Sequence, residues 1–500
     1  MMIKRSCGVL MHITSLPSPY GIGTLGEEAE KFAEWLQKAG QSWWQVLPVG
    51  PTGYGDSPYQ PFSSFAGNPL LIDLDELCRR DLLSKEECEA ADFGADPEYT
   101  DYDKISKTRD VLLRKAYASF TDDVGYTSFC REEADWLDDY ALFMAIKKRF
   151  DGKSWTEWDD DIRLRSPGAM ARYADECKDE IGFVKWCQYI FSRQWTRFHG
   201  ACGSKGIKLI GDIPIYVSPD SSDVWAHPDL FELDDRLYPK RVAGVPPDYF
   251  SKTGQLWGNP LYNWERMEET GFEWWIKRVK KSALMYDMIR IDHFRAFDTY
   301  YAIPYGEKTA VNGTWENGPG MKLFDAIKEQ LGNVNIIAED LGEIFDSVKK
   351  LLADSGFPGM KVLQFGFNPE YSDNDHLPHR YPQNSVCYTG THDNATIVQW
   401  YREADARSRA MANNYLGKKP FEKVHKRAIR ACYASPSNLV IIPMQDILGL
   451  GKDARMNLPS TVGGNWTWRM KKSVLKPSTA RELRALAERY LRKAVKWDKE

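Results

Sequence analysis

The chain has 500 residues, a net charge of −5 and 27% charged against 43% hydrophobic content, the balance of a soluble globular protein. With 66 basic against 71 acidic residues, no basic excess exists to neutralise phosphates, which argues against a nucleic-acid or anionic-membrane partner. Nine scattered cysteines form no C-x-x-C pair and no zinc-spaced His/Cys cluster, so free thiols in a reducing cytosol are expected.

The N-terminus, MMIKRSCGVLMHITSL, faintly imitates a signal peptide. It is too short, contains His12 and has no small-residue cleavage site, so it reads as a first strand over 8–15. An amphipathic helix over 27–39 and a strand over 43–49 follow. The long gap 51–181 opens with the loop GPTGYGDSPYQPFSSFAGNP. It continues into helices, one begun by a capping box at Ser84 and Glu87 and one over 131–150. A helix over 182–199 leads to a strand over 208–217. The gap 218–264 is rich in Pro, Gly and aromatics. Beyond it the chain alternates: helix 265–285, strand 288–295, helix 321–331, strand 334–341, helix 343–352, then strands 360–367, 385–393 and 439–446. A final helix, ELRALAERYLRKAV, is expected to start from a capping box of Thr479 and Glu482. No apolar run approaches a membrane span.

Eight strands alternating with helices predict an α/β fold, a (β/α)8 TIM barrel with large insertions after strands 2 and 3. Residues 1–500 are expected to form one catalytic barrel. Within it, 51–181 is a largely helical insertion subdomain and 218–264 an insertion over the active site. A chain that ends in a helix leaves no room for a C-terminal β domain. Both insertions follow a strand's C-terminal end, so both belong over the catalytic face.

Four of the runs end in acid: Asp212 in KLIGD, Asp292 in MIRID, Glu339 in VNIIAED and Asp393 in CYTGTHD. An unpaired charge at the end of a buried strand is costly. Several such carboxylates without a metal cluster suggest glycosidic-bond chemistry. Asp292 and Arg290 are two apart and share a strand face. The arginine keeps such a carboxylate ionised, as a nucleophile requires, although a structural ion pair explains it equally well. Glu339 can act as acid/base if its surroundings raise its pKa, or simply mark a helix entry, a task open also to Asp340 and Glu343. His392 and Asp393 can bond sugar hydroxyls or form an Asx-type turn. With 18 Trp and 25 Tyr, the composition leans towards sugars, whose C–H faces pack on rings.

In this setting the sequence resembles the α-amylase superfamily. Within it, the chain is similar to glycoside hydrolase family 77, the 4-α-glucanotransferases called amylomaltases or disproportionating enzymes. The resemblance covers nearly the whole chain. It rests on SLPSPYGIGTLG (15–26), GYGDSPYQ (53–60), GDIPIYV (211–217), GVPPDYFSKTGQLWGNPLYNW (244–264), RIDHFR (290–295), AEDLG (338–342), GTHDN (390–394) and GNWTWR (464–469). It implies Asp292 as nucleophile, Glu339 as acid/base and Asp393 as transition-state stabiliser. It also implies that Asp212, Arg290, His293 and His392 hold the donor glucose, with Tyr59 stacked on it and Ser57 nearby. Trp257 and Phe365 would line the acceptor side, and Asn465 would reach the sugar from its loop. Ordinary α-amylases carry a calcium-binding Asn and then His in their first strand motif. Tyr216 and Val217 stand there instead, so neither a metal nor another cofactor is expected.

The implied reaction is retaining transfer of an α-1,4-glucan segment, with the two carboxyls about 5–5.5 Å apart. The implied partners are malto-oligosaccharides, amylose and glycogen-derived glucans, and the expected location is the cytoplasm. One rival is a plain α-1,4-glucan hydrolase with the same residues. The other is a non-catalytic starch-binding protein, which has no use for a nucleophile and an acid.

Overall fold

Val9, Ile210, Ile337, Val386 and Ile441 have no exposed surface, and the runs that hold them form strands with no solvent face, as a parallel sheet wrapped in helices requires. The computed structural model describes residues 3–247, 251–342, 344–370 and 374–493. The strands described there are β1 (Ser6–Leu10), β2 (Trp43–Gln45), β3 (Lys208–Ile213), β4 (Arg241–Val245), β5 (Gln255–Pro260), β6 (Met288–Ile291), β7 (Thr299–Pro304), β8 (Thr314–Asn317), β9 (Ile336–Ala338), β10 (Gly359–Val362), β11 (Ser385–Tyr388) and β12 (Leu439–Pro443).

Eight of them close a barrel in the order β1, β2, β3, β6, β9, β10, β11, β12, with β12 returning to β1. Every pairing around the ring is parallel. This is the (β/α)8 barrel that the alternation predicts, with its long insertions after β2 and β3. Glycine lets neighbours close in on these strands. A Cβ on Gly211 would lie 2.2 Å from the ring of Tyr286, so that ring packs directly behind the residue that precedes Asp212.

The strands are shorter than expected, and the difference matters at β11. That strand ends at Tyr388, five positions before Asp393, which therefore lies in a loop and not at a strand end. Asp212 lies within β3, and Asp292 and Glu339 directly follow β6 and β9.

The insertion after β2 is carried by helices, the longest being Tyr102–Ala118 and Ala134–Arg149. Its Ser84–Glu87 capping box is present. The helix expected over 131–150 is two helices that meet at Glu133. The one expected over 265–285 breaks into Trp264–Glu269 and Glu273–Met285. Gly271 and Phe272 adopt left-handed φ values of 64° and 58° between them, which no α-helix continues through.

The insertion after β3 is not loop alone. Its β4 and β5 join β7 and β8, from the stretch immediately after β6, in a four-stranded antiparallel sheet ordered β5-β4-β7-β8. Gly244, Gly258 and Pro260 interrupt the pattern by which strands are recognised. The subdomain is thus shared by two segments rather than confined to 218–264.

The last helix, Pro477–Arg489, has no side-chain cap. Pro477 opens it at the position proline favours, which leaves Thr479 inside the first turn, while Glu482 pairs with Lys426 at 2.9 Å. The helix expected over 343–352 starts at Asp346. Glu343, residues 248–250 of the GVPPDYFSKTGQLWGNPLYNW motif and the last two positions of the expected terminal helix, 494 and 495, lie outside the described residues.

Candidate active site

Arg290 rises from β6 inside the barrel mouth and bridges two acids. Its Nη1 donates to both oxygens of Asp212, at 2.7 and 2.6 Å, and its Nη2 donates to Asp292 Oδ1 at 2.7 Å. Its Nε lies 3.4 Å from Met360 Sδ on β10. Burial works against the guanidinium charge, but Asp212 and Asp292 outweigh it and hold its pKa well above the ordinary range. The Asp212 side chain has no exposed surface, and burial pushes its pKa up against the pull of Arg290. Tyr59 donates a third bond to it, from its hydroxyl to Oδ2 at 2.9 Å. Asp292 is the more open acid, with 30% of its side chain exposed.

Glu339 is held without a cation. The amide of His293 donates to its Oε2 at 2.7 Å and that of Leu341 to its Oε1 at 2.9 Å. His293 takes φ 51° and ψ 47°, a left-handed conformation uncommon outside glycine. That turn points the amide of the residue after Asp292 at Glu339, so one backbone kink ties the two acids together. Burial first, and then the charge of Asp292, push the Glu339 pKa up to about 8. Asp340 accepts from the Met360 amide at 2.6 Å and braces β10 rather than starting a helix.

On the opposite rim the ring of Tyr59 stacks on His392, with centroids 5.0 Å apart and planes 14° from parallel. Trp466 tilts against both rings, at 5.8 and 5.9 Å. His392 Nε2 lies 3.3 Å from Asp393 Oδ2. Asn457 Nδ2 donates to Asp393 Oδ1 at 2.7 Å, and Arg455 Nη2 donates to the Asp393 carbonyl at 2.7 Å. The turn in this segment is made by Asn394, whose Oδ1 accepts from the Thr391 amide at 2.8 Å, not by Asp393.

Trp257, on β5, sets its ring edge-on to His293 at 4.8 Å, with Nε1 donating to Gln255 Oε1. Phe365 is 40% exposed in the turn after β10, its ring edge-on to His376 at 5.4 Å and outside the carboxylate network. Ser57 accepts from the Tyr59 amide at 3.2 Å and shapes the loop that delivers that tyrosine. Asn465 spends its amide within its own loop, on the Leu458 amide and on Thr461.

The structure brings together the four acids, Arg290, both histidines and Tyr59, and adds Asn457, Arg455 and the ring of Trp466, which sequence reasoning misses. Trp466 stands inside the GNWTWR motif, so its signal was at hand. Asn457 and Arg455 stand in no motif and had none. Among the described residues no group of three or more His, Cys, Asp or Glu is arranged to hold a metal ion. At the place of the calcium motif Tyr216 stacks on Tyr262, and the Val217 carbonyl accepts from Asn259 at 2.7 Å. No helix among those residues is long and apolar enough to cross a membrane.

The chain matches the family model described as 4-alpha-glucanotransferase over residues 11–475. It is 48% identical to the 4-alpha-glucanotransferase of Clostridium butyricum over 484 residues, 96% of this chain and 99% of that protein. It is also 48% identical to that of Streptococcus pneumoniae over 497 residues, 98% of each chain. Among solved structures it is similar to the amylomaltase from Streptococcus agalactiae in complex with acarbose. That likeness has a TM-score of 0.96 and 44% identity and covers 98% of this chain and 100% of the other.

Proposed function

Because this chain belongs to the 4-alpha-glucanotransferase family, glycoside hydrolase family 77, we propose that its carboxylates divide a retaining transfer between them. The activity is that of a 4-α-glucanotransferase. The donor we assign is an α-1,4-linked malto-oligosaccharide or a longer glucan from amylose or glycogen. The acceptor is the 4-hydroxyl of another glucan or of glucose.

Glu339, protonated at neutral pH by its raised pKa, gives its proton to the glycosidic oxygen. Asp292 Oδ attacks the anomeric carbon, the C–O bond to the reducing-end fragment breaks, and that fragment leaves as an alcohol. The covalent glucosyl-enzyme is then attacked by the acceptor 4-hydroxyl, whose proton goes to Glu339 as the bond to Asp292 breaks. Asp393 faces the oxocarbenium-like transition state as a fixed negative charge. Asp212 and Arg290, with His293 and His392, hold the donor sugar, and Tyr59 packs on it.

The observation that carries this reading is the contrast between the two neighbouring acids. Asp292 is salt-bridged to Arg290 and open to the cleft, while Glu339 is buried, bonded only by amides, and high in pKa. Two carboxyls whose surroundings push their protonation apart are the signature of a nucleophile and an acid/base. The test is turnover of maltotriose by Asp292→Asn and Glu339→Gln. Both should lose transfer by on the order of 10⁴-fold or more while melting near the wild-type temperature. Wild-type-like turnover in either sinks the assignment. Glucose and longer oligomers from maltotriose mark transfer, whereas net release of reducing ends marks the hydrolase alternative.

A further inference from the structure

Asp393 has no strand beneath it. It lies in the loop after β11 with 41% of its side chain exposed, so something other than the barrel must give it a direction. Two loops are stitched together around it. Arg455 donates from Nε to the Asn457 carbonyl at 2.7 Å and from Nη2 to the Asp393 carbonyl at 2.7 Å. The Asn457 amide donates to the His392 carbonyl at 3.1 Å, and the Asn457 side chain donates to Asp393 Oδ1 at 2.7 Å. Three of these hydrogen bonds join the loop after β12 to the loop after β11, and one of the three ends on the carboxylate itself.

We propose that Asn457 is the positioning residue of the third carboxylate, fixing the direction in which Asp393 presents its charge to the sugar. The inference rests on the role assigned above to Asp393. The chemistry of the donor supports it. A guanidinium or ammonium in the same place would draw the carboxylate into an ion pair and offset the charge that the transition state needs. A neutral amide N–H fixes Oδ1 by a directional bond and leaves the charge in place. Oδ2 and the remaining lone pairs stay available to sugar hydroxyls. The other titratable and charged groups around Asp393 are His392, whose Nε2 is 3.3 Å from Oδ2, Arg455 on its carbonyl, and Tyr59, whose pKa Asp393 helps to raise. None of them bonds Oδ1. Arg455 anchors the peptide, Asn457 aims the side chain, and a Met456–Trp466 backbone bond of 2.7 Å links this clamp to the ring beside Tyr59 and His392.

The test is steady-state transfer from maltotriose across pH by Asn457→Ala, Asn457→Asp and Asn457→His, with Asp393→Ala as reference and melting temperatures measured in parallel. Asn457→Ala should lower kcat about ten- to a hundredfold, as for the loss of one hydrogen bond to a charged group, with KM nearly unchanged. Asn457→Asp puts a second carboxyl against Oδ1, so the pair retains a proton to higher pH, and the acid limb of kcat should move upward. Asn457→His, which can place a ring N–H near the lost amide, should recover part of kcat. If Asn457→Ala does not fold, Asn457→Asp, of the same size and shape, decides by the position of its acid limb. The proposal is overturned if Asn457→Ala keeps wild-type kcat while Asp393→Ala is inactive. It is overturned equally if Asn457→Asp leaves the acid limb unmoved. Wild-type turnover by Asp393→Ala would instead remove the role on which it rests.

Discussion

Two halves of the site are built by different means. The acids on β3 and at the ends of β6 and β9 are held from within the barrel: Asp212 and Asp292 share one guanidinium, and Glu339 takes two amides from residues just past β6 and β9. On the other side β11 stops early and leaves Asp393 in a loop. The acid just past the C-terminal end of β12, Asp446, is used internally, accepting from Thr389 Oγ1 and the Ile397 amide at 2.5 and 2.7 Å. Position and direction there come from Tyr59, His392, Trp466 and Asn457, all on loops. A barrel strand fixes a side chain through pairing on both flanks, and loops must replace that with side-chain bonds and stacked rings. The first half should therefore fail abruptly when altered, and the second by degrees.

The sharpest way to break the comparison is Arg290. Arg290→Ala leaves Asp212 buried without its counter-charge and should cost about 3–5 kcal/mol of stability, read as a fall in the denaturant midpoint. Arg290→Lys cannot bridge two carboxylates with a fork and should fold but lose about a hundredfold in kcat. A mild effect of both would mean that the strand-built half is not cemented by this residue.

Acid–base behaviour gives the next test. A carboxyl whose pKa is raised to about 8 is protonated below that value, so the step needing Glu339 as acid proceeds below pH 8 and fails above it. The alkaline limb of kcat/KM for maltotriose should fall near pH 8, tenfold per unit. With a donor whose leaving group needs no proton, such as an α-maltosyl fluoride, the first chemical step should lose that limb. Persistence of the limb in single-turnover measurements with the fluoride would assign it to another group.

Smaller effects are expected from the aromatic rings around the carboxylate network. Trp257→Ala removes the ring that the family resemblance assigns to the acceptor side but leaves the Arg290 cluster intact. Water should then capture more of the glucosyl-enzyme, raising the ratio of hydrolysis to transfer roughly tenfold if stacking contributes about 1.4 kcal/mol. Reducing-end release set against oligomer redistribution measures it, and an unchanged ratio in an active variant removes Trp257 as an acceptor platform. Tyr59→Phe deletes one bond to Asp212 while keeping the stacked ring. It should lower kcat/KM only a few-fold, for a hydrogen bond contributing about 1 kcal/mol.

The same division decides what could be read in advance. RIDHFR and AEDLG carry their chemistry at the end of an apolar run, where period and spacing place the acids, and the structure sets them together. Asp393 was found by its motif but misplaced on a strand, because the β-branched threonines of CYTGTHD carry a strand-like pattern past Tyr388, where pairing ends. Asn457 and Arg455 act across sixty-odd positions of sequence through bonds that no local pattern announces. Asn465, inside a recognisable motif, turns its amide to its own loop. The four-stranded sheet escaped notice because its strands are cut by glycine and proline and drawn from both sides of β6.

That sheet bears on how the chain is made. Translation delivers β4 and β5 first, then β6 with Arg290 and Asp292, and only afterwards β7 and β8. Until β7 leaves the ribosome, β4 presents a bare edge, the kind of surface on which nascent chains associate wrongly. A nascent chain that has emerged only to a point between residues 260 and 299 therefore holds half a sheet with an unsatisfied flank. The segment that will carry Asp292 cannot be enclosed on both sides until synthesis has passed it.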